Sequence, residues 1–507
     1  MAKNKKPSGG NPAGAFEDAA HHHQAGRLAK AEKAYRKAIT AKADFFEAHV
    51  NLGVVLEAQG KLEDAEKSFS RAIILNPEMA EIHYALGTVL DALNRPADAA
   101  VSHQRALDLK PDYVEALNGL AIAEEKQGNA DIAIKTFEKA LGLNPGFAEA
   151  ANNLGNLYHR QGGAEDAIQA FRSAIAIRPD YAEAHRNLGQ ALLLGGNFSE
   201  GWGEYQWRWR CRDFPSERRT FPQPLWQGED LAGKTILVWG EQGVGDEVQF
   251  ASMVPDLVDG GAKVIIESDP RLTPVFDRSF PSAQCVAKTN PPHPATMADT
   301  VNFQVPMGNL GRWLRPHADS FPQRRSFLVA DPDRRQSFRQ RYCKNNSNLL
   351  IGLAWHSRNP EIGNEKSMSL SDMNPLAVIP GITFIDLQHG EWAPDRKIFE
   401  AETGTSIIYD EEVDQMTDLD SFFNQLAALD MVISISSATT HFAGALGIPT
   451  WTMLHAQPIY YWMAEREDTL WYPSVRLFRQ RQKGDWPGVV KALARELSAK
   501  LNKNEPE

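Results

Sequence analysis

The sequence predicts a helical-repeat solenoid followed by an α/β region of two Rossmann-like domains that face a cleft. Two features carry this. From about residue 12 the chain repeats itself with a period of 34 residues, and from Lys234 that period gives way to short apolar runs alternating with helical stretches. The α/β part then restarts near residue 346, which divides it in two.

In the repeats, Leu52-Gly53 returns as Leu86-Gly87, Leu120-Ala121, Leu154-Gly155 and Leu188-Gly189. Ala65 returns as Ala99, Ala133 and Ala167; Phe69 returns as His103, Phe137, Phe171 and Tyr205; Pro77 returns as Pro111, Pro145 and Pro179. Gly60, Asn94, Gly128, Gly162 and Gly196 mark the turn inside each unit. Small residues let paired helices approach, an aromatic fills the space between them, and proline stops the second helix. The pattern is similar to the tetratricopeptide repeat (TPR), with about six units over residues 12–213. Residues 1–11 are rich in Lys, Gly, Pro and Asn and are expected to be a disordered tail.

A solenoid of this kind has a concave face suited to an extended polypeptide. Asn51, Asn153 and Asn187 occupy one position of the first helix in their repeats, and an Asn side chain can both donate to and accept from a peptide backbone. They are read as a peptide groove, or else as ties from one repeat to the next. The ladder is broken at Ala85 and Gly119.

The sixth unit replaces its usual second helix with FSEGWGEYQWRWR, an aromatic end suited to docking on the next domain. Residues 214–233 are rich in Pro, Gly and charge and read as a linker. Expected strands in the first domain, 234–345, are 236–239, 263–267 and 300–305, with a helix over 246–260. In the second, 346–501, strands are expected at 349–355, 383–387, 431–436 and 450–454, and helices at 440–447 and 487–501. Ligands of such domains bind at the carboxyl ends of strands.

Composition narrows the function. A formal charge of −11 disfavours general binding to nucleic acid or anionic membranes. The first residues lack an apolar run, so no signal peptide is expected. No uncharged stretch approaches the ~20 residues of a membrane span. Cys211, Cys285 and Cys343 are too scattered for a disulfide framework or a paired metal site, and the reading is a cytoplasmic protein.

The stretch 235–250, TILVWGEQGVGDEVQF, is a strand, a glycine-rich turn and an acidic helix start. A dinucleotide site is one reading, with Glu267 as the acidic partner. The third glycine is Val248, however, and a pyrophosphate would meet Asp246 and Glu247 at the helix start. The other reading makes Asp246 a general base, ionised at the helix N-terminus, with Gln242, Gly243 and Gly245 forming an acceptor loop; Asp246 as a plain cap is the structural alternative. Across the cleft, Ser437, Thr439, Thr440 and His441 open a helix without acids and suit a phosphate, and Arg358 and Lys366 could neutralise a leaving phosphate with no metal ion. The DLD at 418–420 sits at a helix start and reads as a cap, not a metal site.

EQGVGDEVQF, WHSR…EKSMSL, LQHG, SSATTHFAGALGIPTW and WYPSVRLFRQ…GDW together resemble the C-terminal half of bacterial TPR-linked glycosyltransferases. That half is similar to the heptosyltransferase-type branch of the GT-B fold, and the whole plan resembles the protein O-GlcNAc transferases. The likeness runs from about residue 12 to 490. It implies Asp246 as base toward an acceptor hydroxyl, Lys366 and the Thr439-Thr440-His441 segment at the donor phosphate, and Gln388 near the nucleotide. It also implies a protein acceptor held by the repeats, flagellin being the best guess, a nucleotide-sugar co-substrate, and no cofactor or metal. The chain departs from these relatives at Ser436, where an Asp is common, and at IYYW (459–462), where a DWRW-like run is common. Those departures leave donor identity open and keep two alternatives in view: a catalytically inactive TPR/GT-B scaffold, or a transferase acting on a glycan or lipid.

Overall fold

The computed structural model describes residues 11–343, 348–359, 362–457 and 459–502. It divides into two compact units, Met1–His159 with Glu165–Ala184, and Arg160–Ala164 with His185–Glu507.

The first unit is made of antiparallel helix pairs, beginning with Pro12–Gln24 and Leu28–Ala41. Asn11 caps the first helix, its side chain accepting the Ala13 N–H at 3.1 Å; the rest of the expected tail lies outside the described residues. The turn positions read from the sequence adopt the left-handed conformation, with φ of +72° at Gly60, +57° at Asn94 and +85° at Gly128. Close approach accounts for the small residues inside the helices. A Cβ on Gly53 would lie 2.6 Å from the Phe69 ring, and one on Gly155 would lie 2.6 Å from Phe171.

The same packing explains one of the two gaps in the asparagine ladder, the one at Gly119. His103 stands where other repeats carry Phe, and a Cβ at either Gly87 or Gly119 would lie 2.5 Å from its ring. Gly119 therefore holds the ladder position open for His103. One rung is already spoken for: Asn153 Nδ2 donates to Asn118 Oδ1 of the preceding repeat at 3.0 Å.

The second unit contains two wholly parallel sheets. In the first, β1 (Thr235–Trp239), β2 (Lys263–Ser268), β3 (Ala283–Ala287) and β4 (Phe303–Pro306) lie in the order β3-β2-β1-β4. In the second, β5 (Leu349–Ala354), β6 (Ile382–Asp386), β7 (Ile407–Ile408), β8 (Met431–Ile435), β9 (Thr450–Leu454) and β10 (Val475–Arg479) lie in the order β10-β9-β8-β5-β6-β7. β3, β7 and β10 go beyond the expected strands: II is short, VRLFR is charged, and the run AQCVA is broken by a polar Gln. The expected strand 300–305 starts later, at Phe303. Both faces of such sheets are covered, so their strands read as apolar runs. In the second sheet Ile351, Leu353 and Ile433 pack with Val490, Leu493 and Leu497 of the closing helix Trp486–Asn502.

The helix expected over 246–260 is two, Val244–Ala251 and Val254–Asp259. Pro255 cannot donate to a continuing helix ladder and stands in the first turn of the second piece. Residues 214–233, read as a linker, instead lie along the first sheet. Leu225 bridges Gln304 in parallel, the Trp226 N–H donates to the Gln304 carbonyl at 2.9 Å, and Phe221, Trp226 and Leu231 are buried. The altered helix Phe198–Tyr205 also belongs to this unit. Trp202 is buried beside Gly311, donates its indole N–H to the Arg315 carbonyl at 3.0 Å, and meets Phe250, Tyr460 and Trp471 edge-on.

Candidate active site

The carboxyl ends of both sheets open on one cavity of about 330 Å³. The first sheet contributes Gly243, Val244, Gly245 and Asp246, from the turn after β1 and the helix that follows. The second contributes His356, Arg358 and Lys366 from the segment after β5, Gln388 and His389 after β6, and Ser436, Ser437, Thr439 and His441 after β8. Most of the expected site residues thus converge on one space. The two helix starts are adjacent: a Cβ on Gly245 would lie 3.4 Å from Ala438 Cα and 3.5 Å from His441 Cδ2. Glycine at 245 thus allows this close approach.

Asp246 is the third residue of its helix, not the cap. Its carboxylate accepts the Gly243 N–H at 3.2 Å. The helix start was expected to favour the ionised form. Instead burial dominates and pushes the carboxyl up to about 6, with Glu241 adding to the rise and Gly243 and Lys366 opposing it. A group titrating there is ionised at pH 7 yet basic enough to take a proton. Glu247 turns away from the cavity. It is buried, accepts the Asp269 N–H at 2.9 Å, packs under Gly240, and its carboxyl is pushed up to about 8 by desolvation. Glu267, the acid a dinucleotide would need, is consumed by Arg219 at 2.6 Å.

On the other wall Lys366 is buried, and no carboxylate makes ion-pair contact with it among the described residues. Desolvation lowers its pKa, and Asp246 partly offsets that. A buried cation without a paired carboxylate is costly unless an anion arrives. Arg358 is exposed on the same wall. The helix Ala438–Ala445 offers the N–H groups of its first turn, which have no intrahelical acceptor, at Ser437 and Thr439. His441 hydrogen-bonds through Nδ1 to the Tyr472 hydroxyl at 2.9 Å, and burial drives its pKa down to about 3, so it is a neutral hydrogen-bonding group.

Other expected residues have different roles. Thr440 turns its hydroxyl back to the Ile435 carbonyl at 3.1 Å and does not line the cavity. Gln242 bonds Tyr205, its Nε2 donating to the hydroxyl at 3.1 Å, and is also absent from the lining. Gln388 lines the cavity but spends its side chain on backbone, Oε1 accepting the N–H groups of Trp355 at 3.0 Å and His356 at 2.8 Å. Asp418 caps a helix through the Ser421 N–H at 2.9 Å, and Asp420 pairs with Arg278 and Arg334, so the DLD is structural. Tyr461, His356 and His389 also line the cavity; they lie inside the IYYW, WHSR and LQHG runs noted in the sequence but were not singled out there as site residues.

A tetratricopeptide repeat model matches residues 19–80, 50–114, 84–146, 118–182 and 161–205, so the helical array is made of TPR repeats. Protein FlbA of Caulobacter vibrioides is 32% identical over 331 residues, covering 60% of this chain and 53% of FlbA. The chain therefore spans about half the length of that relative, and the aligned share is larger than the repeats alone, so the likeness runs on into the α/β part. Among solved structures, the MamA protein is similar at 26% identity, covering 34% of this chain and 94% of its own, with a TM-score of 0.31. YrrB, described as a TPR protein with an unusual peptide-binding site, is similar at 27% identity, covering 34% and 90%, also with a TM-score of 0.31. No helix among the described residues is long and apolar enough to cross a membrane.

Proposed function

We propose that the chain is a cytoplasmic glycosyltransferase of GT-B type, which moves a sugar from a nucleotide donor to a Ser or Thr hydroxyl of a polypeptide bound by the TPR repeats. The observation that carries this reading is the pairing, in one cavity, of Asp246 on one wall with the buried, unpaired Lys366 on the other. Asp246 takes the proton of the acceptor hydroxyl as its oxygen attacks the anomeric carbon. The bond from that carbon to the donor phosphate breaks, and the phosphate leaves toward Lys366, Arg358 and the helix start at 437–439. A single in-line displacement of this kind inverts the anomeric carbon. These cations and N–H groups supply charge stabilisation without a metal ion. Flagellin is the proposed acceptor, on the strength of the resemblance to TPR-linked flagellin glycosyltransferases.

Thermal-shift measurements with UDP-, GDP-, ADP- and CMP-sugars test the donor half. One class should stabilise the parent protein, and Lys366→Met should abolish that shift. If none stabilises the protein, the transferase reading gives way to a repeat scaffold whose α/β half only docks. If transfer occurs to a glycan or lipid and to no polypeptide, the repeats are not the acceptor site.

A further inference from the structure

We propose that Arg208 is a positioning residue for the loop 241–246, fixing through Glu241 the place at which Asp246 enters the cavity. The inference rests on Asp246 being the base.

Arg208 lies in the short 3₁₀ turn Gln206–Arg210, and its side chain and that of Glu241 are both 0% exposed. The guanidinium forks onto the carboxylate, Nε to Oε2 at 2.9 Å and Nη2 to Oε1 at 2.5 Å. Its remaining donors reach Asn309 Oδ1 at 2.8 Å and the Tyr205 carbonyl at 3.1 Å, and its plane lies over the Tyr205 ring, 4.6 Å from the centroid. Glu241 in turn accepts the Gly308 N–H at 2.7 Å.

Glu241 and Gln242 join the end of β1 to the turn that carries Asp246. Gln242 is held at a φ of +64°, unfavourable for a residue with a side chain, by Ser216 Oγ at its N–H and by Tyr205 at its amide. Both connecting residues are thus clamped by side chains from the segment 205–216. A fully buried ion pair is a poor stabiliser, since apolar residues of similar volume commonly do as well or better. What the forked pair provides that an apolar pair lacks is a fixed register between the 3₁₀ turn and the loop.

The test compares Arg208→Met, Glu241→Met, the double variant and Arg208→Lys in the full chain. The substrates are flagellin and whichever of the UDP-, GDP-, ADP- and CMP-sugars stabilises the parent. Each single Met variant should melt early, because it strands a buried charge. The double variant strands no charge, though it leaves the Gly308 N–H and Asn309 Oδ1 without these partners, so it should melt above either single variant and keep the donor KM, while kcat falls about 10- to 100-fold, the scale of a reacting group misplaced by about 1 Å. Arg208→Lys, which keeps the charge but not the fork, should show the same split with a smaller fall in kcat. Parent-like kcat in either the double or the Lys variant would overturn the proposal, as would a donor KM that rises in step with the loss of kcat. Asp246→Asn serves as the separate control. If it transfers at the parent rate, the base assignment has failed and not the clamp.

Discussion

The indole N–H of Trp462 donates to Ser436 Oγ at 2.8 Å, and the Trp462 ring stacks on His441 with centroids 5.2 Å apart and planes at 18°. These are the two places where the sequence departs from the motifs of the glycosyltransferase class proposed for it, and in the fold the departures meet. Ser436 follows β8, Trp462 closes the IYYW run, and together they brace the imidazole that lines the cavity. Arg479 adds to the brace by donating to the Trp462 carbonyl at 2.6 Å. Ser436→Ala should therefore loosen His441. A neutral hydrogen bond contributes about 0.5–1.5 kcal/mol, so nucleotide affinity measured by calorimetry should weaken about 2- to 10-fold. Trp462→Phe should act in the same direction.

The pH dependence has a definite sign. Asp246 must be ionised to accept a proton, and its carboxyl titrates at about 6, under the influence of Glu241, Glu247 and Lys366. The acid limb of kcat/KM should fall at about 6, well above the ordinary aspartate value. Stability carries the opposite sign. The raised pKa means that the folded state holds this proton more tightly than the unfolded chain, so stability is lost as pH rises from about 4 to 6. Asp246→Asn removes that loss, and its Tm at pH 7 should be no lower than the parent's.

Glu247 makes a parallel prediction away from the chemistry. With its carboxyl at about 8 it is largely protonated at neutral pH, and its contribution to stability is lost as pH climbs from about 4.5 through 8. Glu247→Gln keeps the shape without the titration. The difference in Tm between variant and parent should grow in the variant's favour from pH 6 to pH 9, as calorimetry can follow.

In the repeats, His103 fills a Phe position with an Nδ1 atom that is buried and unpartnered, while its Nε2 bonds Asp91 at 3.3 Å. His103→Phe removes the stranded atom and keeps the ring that Gly87 and Gly119 accommodate. Loss of the Nε2–Asp91 bond offsets that gain, so the unfolding free energy of the repeat unit should stay within about 1 kcal/mol of the parent's. Gly53→Ala should lower it, because its new methyl meets Phe69 at 2.6 Å.

Periodicity made the repeats legible, down to the left-handed turn at Asn94, because each 34-residue unit poses the same packing problem. Apart from β4, at one edge of the first sheet, the strands that the sequence disclosed are the central ones, buried on both faces and so largely apolar, such as ILVW in β1 and MVISI in β8. β7 and β10 lie at sheet edges, where polar residues and short length are tolerated, and the apolar-run criterion passes over them. At the cavity, residues fixed by chain position, Asp246 and Lys366 among them, fall on the wall where the sequence placed them. Side chains whose direction depends on distant partners do not follow from chain position: Gln242 turns to Tyr205, Thr440 turns back to Ile435, and Arg208 reaches Glu241 across 33 positions of sequence. The segment 214–233 looked like a linker because proline and charge dominate its composition, yet its few aromatics, Phe221 and Trp226, decide its packing.

Sugar transfer to a polypeptide can be followed by intact-mass spectrometry of flagellin after incubation with the full chain and each of the UDP-, GDP-, ADP- and CMP-sugars, run beside Asp246→Asn. With the parent protein one donor should add the mass of its sugar to the polypeptide, and Asp246→Asn should slow this addition by at least 100-fold, the lower end of what a general base contributes. Flagellin left unmodified with every donor, or modified equally well by Asp246→Asn, would contradict the proposed transfer.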